Sequence, residues 1–208
     1  MYTPKHFEET NPQILHDLMR EFSFALLVTA QNGALVGTHL PLHVEAKGVN
    51  GILLGHVARA NNHWRQFDGV TEAMAVFQGP HSYISPNWYA NEGLVPTWNY
   101  ATIHAYGRPQ AIEDPGETTD ILWRLVEANE TDATGNWSMS RLPSHEVKTQ
   151  LNGIVAFRMP IDRLEGKFKM GQNRPPEDVL AAVKGLRAAG HADAEMVAAE
   201  METRARRS

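Results

Sequence analysis

The chain has 208 residues, 42% of them hydrophobic and 21% charged, enough to bury a core as one globular domain or as a domain with a small helical appendage. Its 19 Lys+Arg against 24 Asp+Glu give a formal charge of −5, which argues against a dedicated nucleic-acid binder, because such proteins carry a basic excess. The absence of cysteine excludes disulfides, thiolate metal sites and Cys nucleophiles together, and with no secretory h-region and no apolar run near the ~20 residues a bilayer demands, a soluble cytoplasmic protein is expected.

Asn11-Pro12 reads as a helix N-cap and first helical residue, and Ile14, Leu15, Leu18 and Phe22 then share one face. From Phe24 the texture changes to FALLVTA, Gln31-Asn32-Gly33 and ALVGTHLPLHVE, and an Asn-Gly between apolar runs predicts a hairpin. In its second strand Val36, Thr38, Leu40, Leu42 and Val44 form the expected core face, while Gly37, His39, Pro41 and His43 point the other way. GILLGHVARANNHW is a third strand that ends in polar residues, and EAMAVFQ is a fourth.

Gly79 to Gly107 holds two of the five Trp and four of the five Tyr, with Pro80, Pro86 and Pro96 stiffening the backbone. We expect a rigid aromatic loop that plugs a core or walls a pocket for something flat. It leads into a fifth strand, ATIHAYGRPQAIE, where Trp98, Tyr100, Thr102, His104 and Tyr106 form a large face and Ala101, Ile103, Ala105 and Gly107 a small one.

Asp114-Pro115-Gly116-Glu117 resembles a capping box opening a helix with Ile121, Leu122, Leu125 and Val126 as its apolar stripe. PSHEVKTQL predicts a short helix burying Val147 and Leu151, and IVAFRMPIDRLEGKFKM a return to strand with a break at Pro160. Pro175-Pro176 opens a helix with Val179, Leu180, Val183 and Leu186 inward, Gly190 ends it, and a second helix runs to Arg204, Arg206 and Arg207. Strands joined by tight turns, with helices late in the chain, describe an antiparallel β-barrel with peripheral helices over residues 1–170 and a helical appendage over 171–208.

No nucleotide-binding, zinc-protease or hydrolase motif is present. The third strand's end, Gly55 to Trp64, gathers Arg59, Asn61 and Asn62 beside small residues, a set that suits either a phosphate or an ordinary capped turn. His39, His43, His56, His63, His81 and His104 raise a metal or haem site, but Glu45 and Glu92 complete no facial triad with any pair of them, and no metal is expected. Lys167 and Lys169 fit either the protection of an edge strand or a second anion contact. The last two helices could form a helix-turn-helix, yet Glu195, Glu200 and Glu202 precede any Arg in the second one and would repel phosphates.

GHVARANN, GPHSYISPNWY, VPTWNYATIHAYG and KFKMGQNR together resemble the PaiB family of FMN-binding proteins, named as negative transcriptional regulators. Asn62 stands where that family often has Pro, and Met170 and Gly171 replace its Leu and Ser. The resemblance implies an FMN-binding split β-barrel, normally a homodimer with flavin at the subunit interface. It implies Arg59 and Asn61 at the phosphate, Thr38 and His39 near the ring, Trp64 or Trp98 on the substrate side, and His56, Asn99, Lys169 and Gln172 as further cofactor contacts. The biological task stays open between a flavin-dependent redox protein, a non-enzymatic regulator acting through DNA or a partner protein, and a haem-binding relative.

Overall fold

The computed structural model describes residues 1–206, so Arg207 lies outside the described residues. The elements in chain order are β1 (Glu8–Glu9), α1 (Pro12–Glu21), β2 (Phe24–Gln31), β3 (Ala34–Pro41), β4 (His43–Glu45), β5 (Ile52–Ala58), β6 (Ala73–Ile84), β7 (Thr97–Gly107), β8 (Gln110–Ala111), α2 (Pro115–Asn129), α3 (Ser144–Asn152), β9 (Ile154–Lys169), α4 (Pro176–Ala189) and α5 (Ala192–Ala205). No helix among the described residues is long and apolar enough to cross a membrane.

The chain divides into two compact units. The first comprises Met1–Asn11, Gln78–Ile103 and Glu165–Ser208, and the second Pro12–Phe77 and His104–Leu164. This division differs from the 1–170 and 171–208 partition drawn from composition, because β6, β7 and β9 each contribute residues to both units.

The second unit is antiparallel sheet with helices on it, in the strand order β3-β2-β6-β7-β9-β5-β4. Asn32 at φ 52° and Gly33 at φ 79° make the two-residue turn that the Asn-Gly predicts, and this sets the register Leu27↔Thr38 and Leu26↔His39. Leu27, Leu40, Leu53, Phe77 and Phe157, on alternating positions of five strands, are at most 3% exposed and form its core. On the outer face of β5 and β9, Ile121 and Leu125 of α2 close over Leu54 and Ala156. The Asp114 carboxylate caps α2 by accepting from the Glu117 N–H, as the capping-box spacing predicts. Val147 and Leu151 of α3 are half-buried where full burial was expected.

The first unit packs α4 and α5 together through Val179, Ala182, Val183, Leu186, Val197, Ala198 and Met201, all buried. Leu180 lies outside this stripe and is 56% exposed, since an inward face a third of the helix wide has no room for it beside Val179 and Val183. Gly185 faces Trp88: a Cβ there would sit 2.3 Å from the indole Cγ, so only glycine lets the ring lie against α4.

Three expectations are corrected. The rigid aromatic loop is mostly strand, since β6 continues through Gly79-Pro80 to Ile84 and β7 starts at Thr97. Pro80 is tolerated because the β2 ladder on β6 ends at Val76, so its missing N–H breaks no bond of that ladder. β9 passes Pro160 unbroken, with Pro160 opposite Ile52 at the last rung of the β5 ladder and Ile161 donating to Gly51 O at 3.0 Å. Finally, β9 is an interior strand, with β1 also pairing Glu8 with Lys167, so edge protection does not account for Lys167 and Lys169.

Candidate functional site

The polar residues that the sequence singled out fall into two groups, one in each unit. In the second unit the chain leaves β5 at Ala58 and turns into a single 3-10 turn over Asn62–Gln66. Asn61 caps it, its side-chain oxygen accepting from the His63 N–H at 3.1 Å, so the turn forms with Asn62 in the position where a proline would also fit. This carries His63, 2% exposed, inward between β2 and β3.

His63 Nδ1 lies 2.8 Å from the Thr38 hydroxyl and Nε2 2.8 Å from the Thr29 hydroxyl. The single Thr29 hydrogen goes to Gln66 Oε1, so Thr29 must accept from His63, and the proton sits on Nε2. Nδ1 then accepts from Thr38, which in turn accepts from the Asn61 amide at 3.1 Å. One neutral imidazole therefore satisfies the whole chain from Asn61 to Gln66, and burial pushes its pKa below the ordinary 6.5. Thr38 and Asn61 are held in fixed orientation by His63, which the sequence offered only as one of six candidate metal or haem ligands and not as a cofactor contact.

Arg59 follows β5 directly. Its Nε donates to Asn152 O and its Nη2 to Ile154 O, both at 2.8 Å, while its own N–H donates to Gly153 O at 2.8 Å. Trp64 Nε1 closes the loop onto Arg59 O at 3.0 Å. Of a guanidinium's five N–H donors, two are so committed and three remain, on an exposed fork whose direction is set by backbone. A cavity of about 370 Å³ opens here, walled by Arg59, Trp64, Leu151 and Ala156. Another cavity of this unit, about 470 Å³, is lined by Trp123, Met139, Leu142 and Val147 with Lys148 as its one cation, and suits apolar contents.

His56, on the outer face of β5, keeps Nδ1 buried with no hydrogen-bond partner among the described residues, and burial lowers its pKa. His39 is exposed on β3 and stacks on Phe24 at 6.2 Å, with Phe24 67% and Leu35 77% exposed on the same hairpin.

The first unit holds Trp98, Asn99, Lys169 and Gln172. Asn99 is buried and donates to the Met201 sulfur at 3.3 Å. Gln172 closes its own turn, accepting from Met170 N at 2.7 Å and donating to Phe168 O at 2.6 Å. Lys169 donates to Trp98 O at 2.6 Å and to the Thr97 hydroxyl. Trp98 is 54% exposed, flanked by His81 and Tyr83.

Residues 1–163 match the family described as "Putative FMN-binding domain". The chain is 33% identical over 202 residues to the protease synthase and sporulation protein PAI 2 of Bacillus subtilis, covering 97% of each. It belongs to the PaiB family of FMN-binding proteins. Among solved structures it is similar to the flavocytochrome Anf3 of Azotobacter vinelandii (TM-score 0.63, 14% identity, 80% of this chain and 72% of that one). It is also similar to the FAD and haem binding protein of Mycobacterium smegmatis (TM-score 0.55, 16% identity, 88% and 80%). At these identities the likeness is one of fold, and the fold of this PaiB-family chain is the split barrel: mainly antiparallel sheet with flanking helices. All the second-unit candidates lie within the residues matched to the family, whereas Lys167, Lys169 and Gln172 lie beyond them.

Proposed function

We propose that this protein is a cytoplasmic, homodimeric, flavin-dependent redox protein that holds FMN with Arg59, Asn61, Thr38, His39, His56 and Trp64. The observation that carries this is Arg59, whose fork is fixed by two backbone carbonyls and keeps three N–H donors for an anion. A phosphate dianion leaving water needs charge-assisted donors already in place, and an arginine held in this way loses little entropy on binding it. The residues fit such a group in two further respects. The buried, unpartnered His56 Nδ1 is a polar atom for which the protein supplies no partner, and Thr38 and Asn61 are oriented by His63 before any ligand arrives.

When bound, FMN supplies a ring that accepts and returns electrons. The chain's own residues bind and orient. His63 stays neutral and fixes Thr38, Arg59 offers positive charge, and Trp64, fixed by its indole N–H, walls the cavity. The exposed Phe24, Leu35 and His39 on the β2–β3 hairpin are an apolar surface suited to a second copy. DNA binding is not part of this proposal, given the charge of −5 and an acid-rich α5.

The test is the absorption spectrum of the purified protein together with light scattering. A flavin spectrum that is lost with release of FMN on denaturation, from a particle of twice 23.2 kDa, is expected. A haem spectrum, or a colourless protein that takes up no FMN, would overturn the proposal.

A further inference from the structure

Lys167 and Lys169 stand on one face of β9, two residues apart, in the first unit. Lys167 is only 8% exposed, and its ammonium donates to Tyr2 O at 3.0 Å and lies 5.3 Å from the Tyr100 ring centre and 5.5 Å from that of Tyr2. Lys169 is half-buried on Trp98 O and Thr97. Arg174, in the same unit, lies over Tyr89 at 5.4 Å. Among the described residues none of the three cations has a carboxylate within salt-bridge distance. Glu165 takes the Met1 ammonium, Glu9 takes Arg204, Glu195 and Glu202 take Arg187, and Asp178, which accepts from Asn91 N, is near enough to feel the charge of Arg174 but not of either lysine. Glu8, the register partner of Lys167, makes no ion pair with it.

Burying an ammonium without a counter-charge is costly, and two side by side are costlier. The pKa of Lys169 reflects this: desolvation lowers it first, then the charges of Lys167 and Arg174. Tyr2 O, Thr97 and Trp98 O use three of the six ammonium hydrogens and leave three for a ligand. Beside them is a shelf of flat rings, with Trp98 54% and Tyr83 43% exposed and the His81 ring 6.3 Å from that of Trp98. Two ammonium groups without counter-ions next to exposed ring faces are the chemistry that recognises a planar anion.

We infer that the Lys167–Lys169 face is a second binding site, which takes a small planar aromatic molecule carrying a carboxylate or phosphate and distinct from the flavin. The ammonium groups hold the anionic group, and Trp98 and Tyr83 hold the ring. The residues of this site all belong to the first unit, whereas those proposed above for FMN belong to the second.

Calorimetric titration of the full chain, as purified and again with FMN added, with phenyl phosphate, benzoate and neutral benzyl alcohol tests this. Both anions are expected to bind saturably, and benzyl alcohol far more weakly. Lys169→Met should weaken both anions about tenfold or more. Lys169→Arg should recover most of that loss. Circular dichroism and the denaturation midpoint of Lys169→Met should match wild type, so that a lost titration reports the site and not the fold. Three results would overturn the inference: no saturable binding of either anion, equal binding of benzyl alcohol, or a Lys169→Met protein that loses FMN while keeping riboflavin. The last would place the flavin phosphate on these lysines, and it is distinguishable from failure of the flavin proposal because Arg59→Ala would then leave FMN binding intact.

Discussion

The two units handle polar groups in opposite ways. In the second, nearly every such group is answered from within. Arg124 meets Glu45, Arg158 meets Glu117, Arg108 meets Asp162, and a neutral His63 links four polar side chains without any formal charge. In the first, Arg187 and Arg204 are paired with acids, but Lys167 and Lys169 are left to carbonyls, a hydroxyl and rings. A pre-satisfied hydrogen-bond chain fixes geometry and recognises by shape and donor direction. Uncompensated charge recognises by electrostatics and stays poorly stabilised until an anion arrives. We read the second unit as the place where orientation matters and the first as the place where charge does.

The largest effect should come from breaking the neutral chain. His63→Leu leaves the Thr29 and Thr38 hydroxyls without their shared partner in a buried site and should cost about 3 kcal/mol of unfolding free energy by urea denaturation. A loss below about 1 kcal/mol would mean that water replaces the imidazole and that the orientation of Thr38 is not imposed by the protein. In the first unit the corresponding probe is steric. Gly185→Ala drives a methyl into Trp88 and should cost about 2 kcal/mol, with a change in Trp fluorescence; no change in either would contradict the packing of that ring on α4.

A smaller effect is set by pH. Burial lowers the pKa of His43, His56 and His63 from 6.5, and all three lie in the second unit. A base whose folded pKa is depressed binds fewer protons folded than unfolded, so its stabilising contribution is complete above 6.5 and is lost as the pH falls from there through the folded value. The urea midpoint should therefore drop between about pH 7.5 and about pH 5.5, and His63→Gln, which cannot take up a proton, should show a shallower drop. An identical slope in the two proteins would remove His63 from the account.

Much of the fold was legible because it depends on neighbours in sequence. The Asn32-Gly33 turn, the Asp114 cap and the alternation along β3 and β7 are decided within a few residues. What was not legible depends on distant chain. Whether Pro80 ends β6 is decided by where the β2 ladder stops, and whether Lys167 guards an edge by which strands flank β9. The site divides in the same way. Arg59, Asn61 and Thr38 were visible as residue types, but the carbonyls that aim Arg59 lie 93 and 95 residues away, and the hydroxyls that hold His63 come from β2 and β3. The amides of Asn99 and Gln172 were visible as residue types too, but what orients them, the Met201 sulfur for one and the backbone of its own turn for the other, is not read from a short motif.

The central claim is that the second unit meets the flavin phosphate through Arg59. Fluorescence-quenching titration of FMN and of riboflavin against wild type and Arg59→Ala tests it directly, since the two ligands differ only in the phosphate. The account predicts that Arg59→Ala weakens FMN about tenfold or more while changing riboflavin by less than about threefold. Arg59→Lys should fall closer to alanine than to wild type, because an ammonium cannot hold the Asn152 and Ile154 carbonyls and present a fork at once. Equal losses for FMN and riboflavin would show that Arg59 acts only as a structural clamp and would contradict the claim.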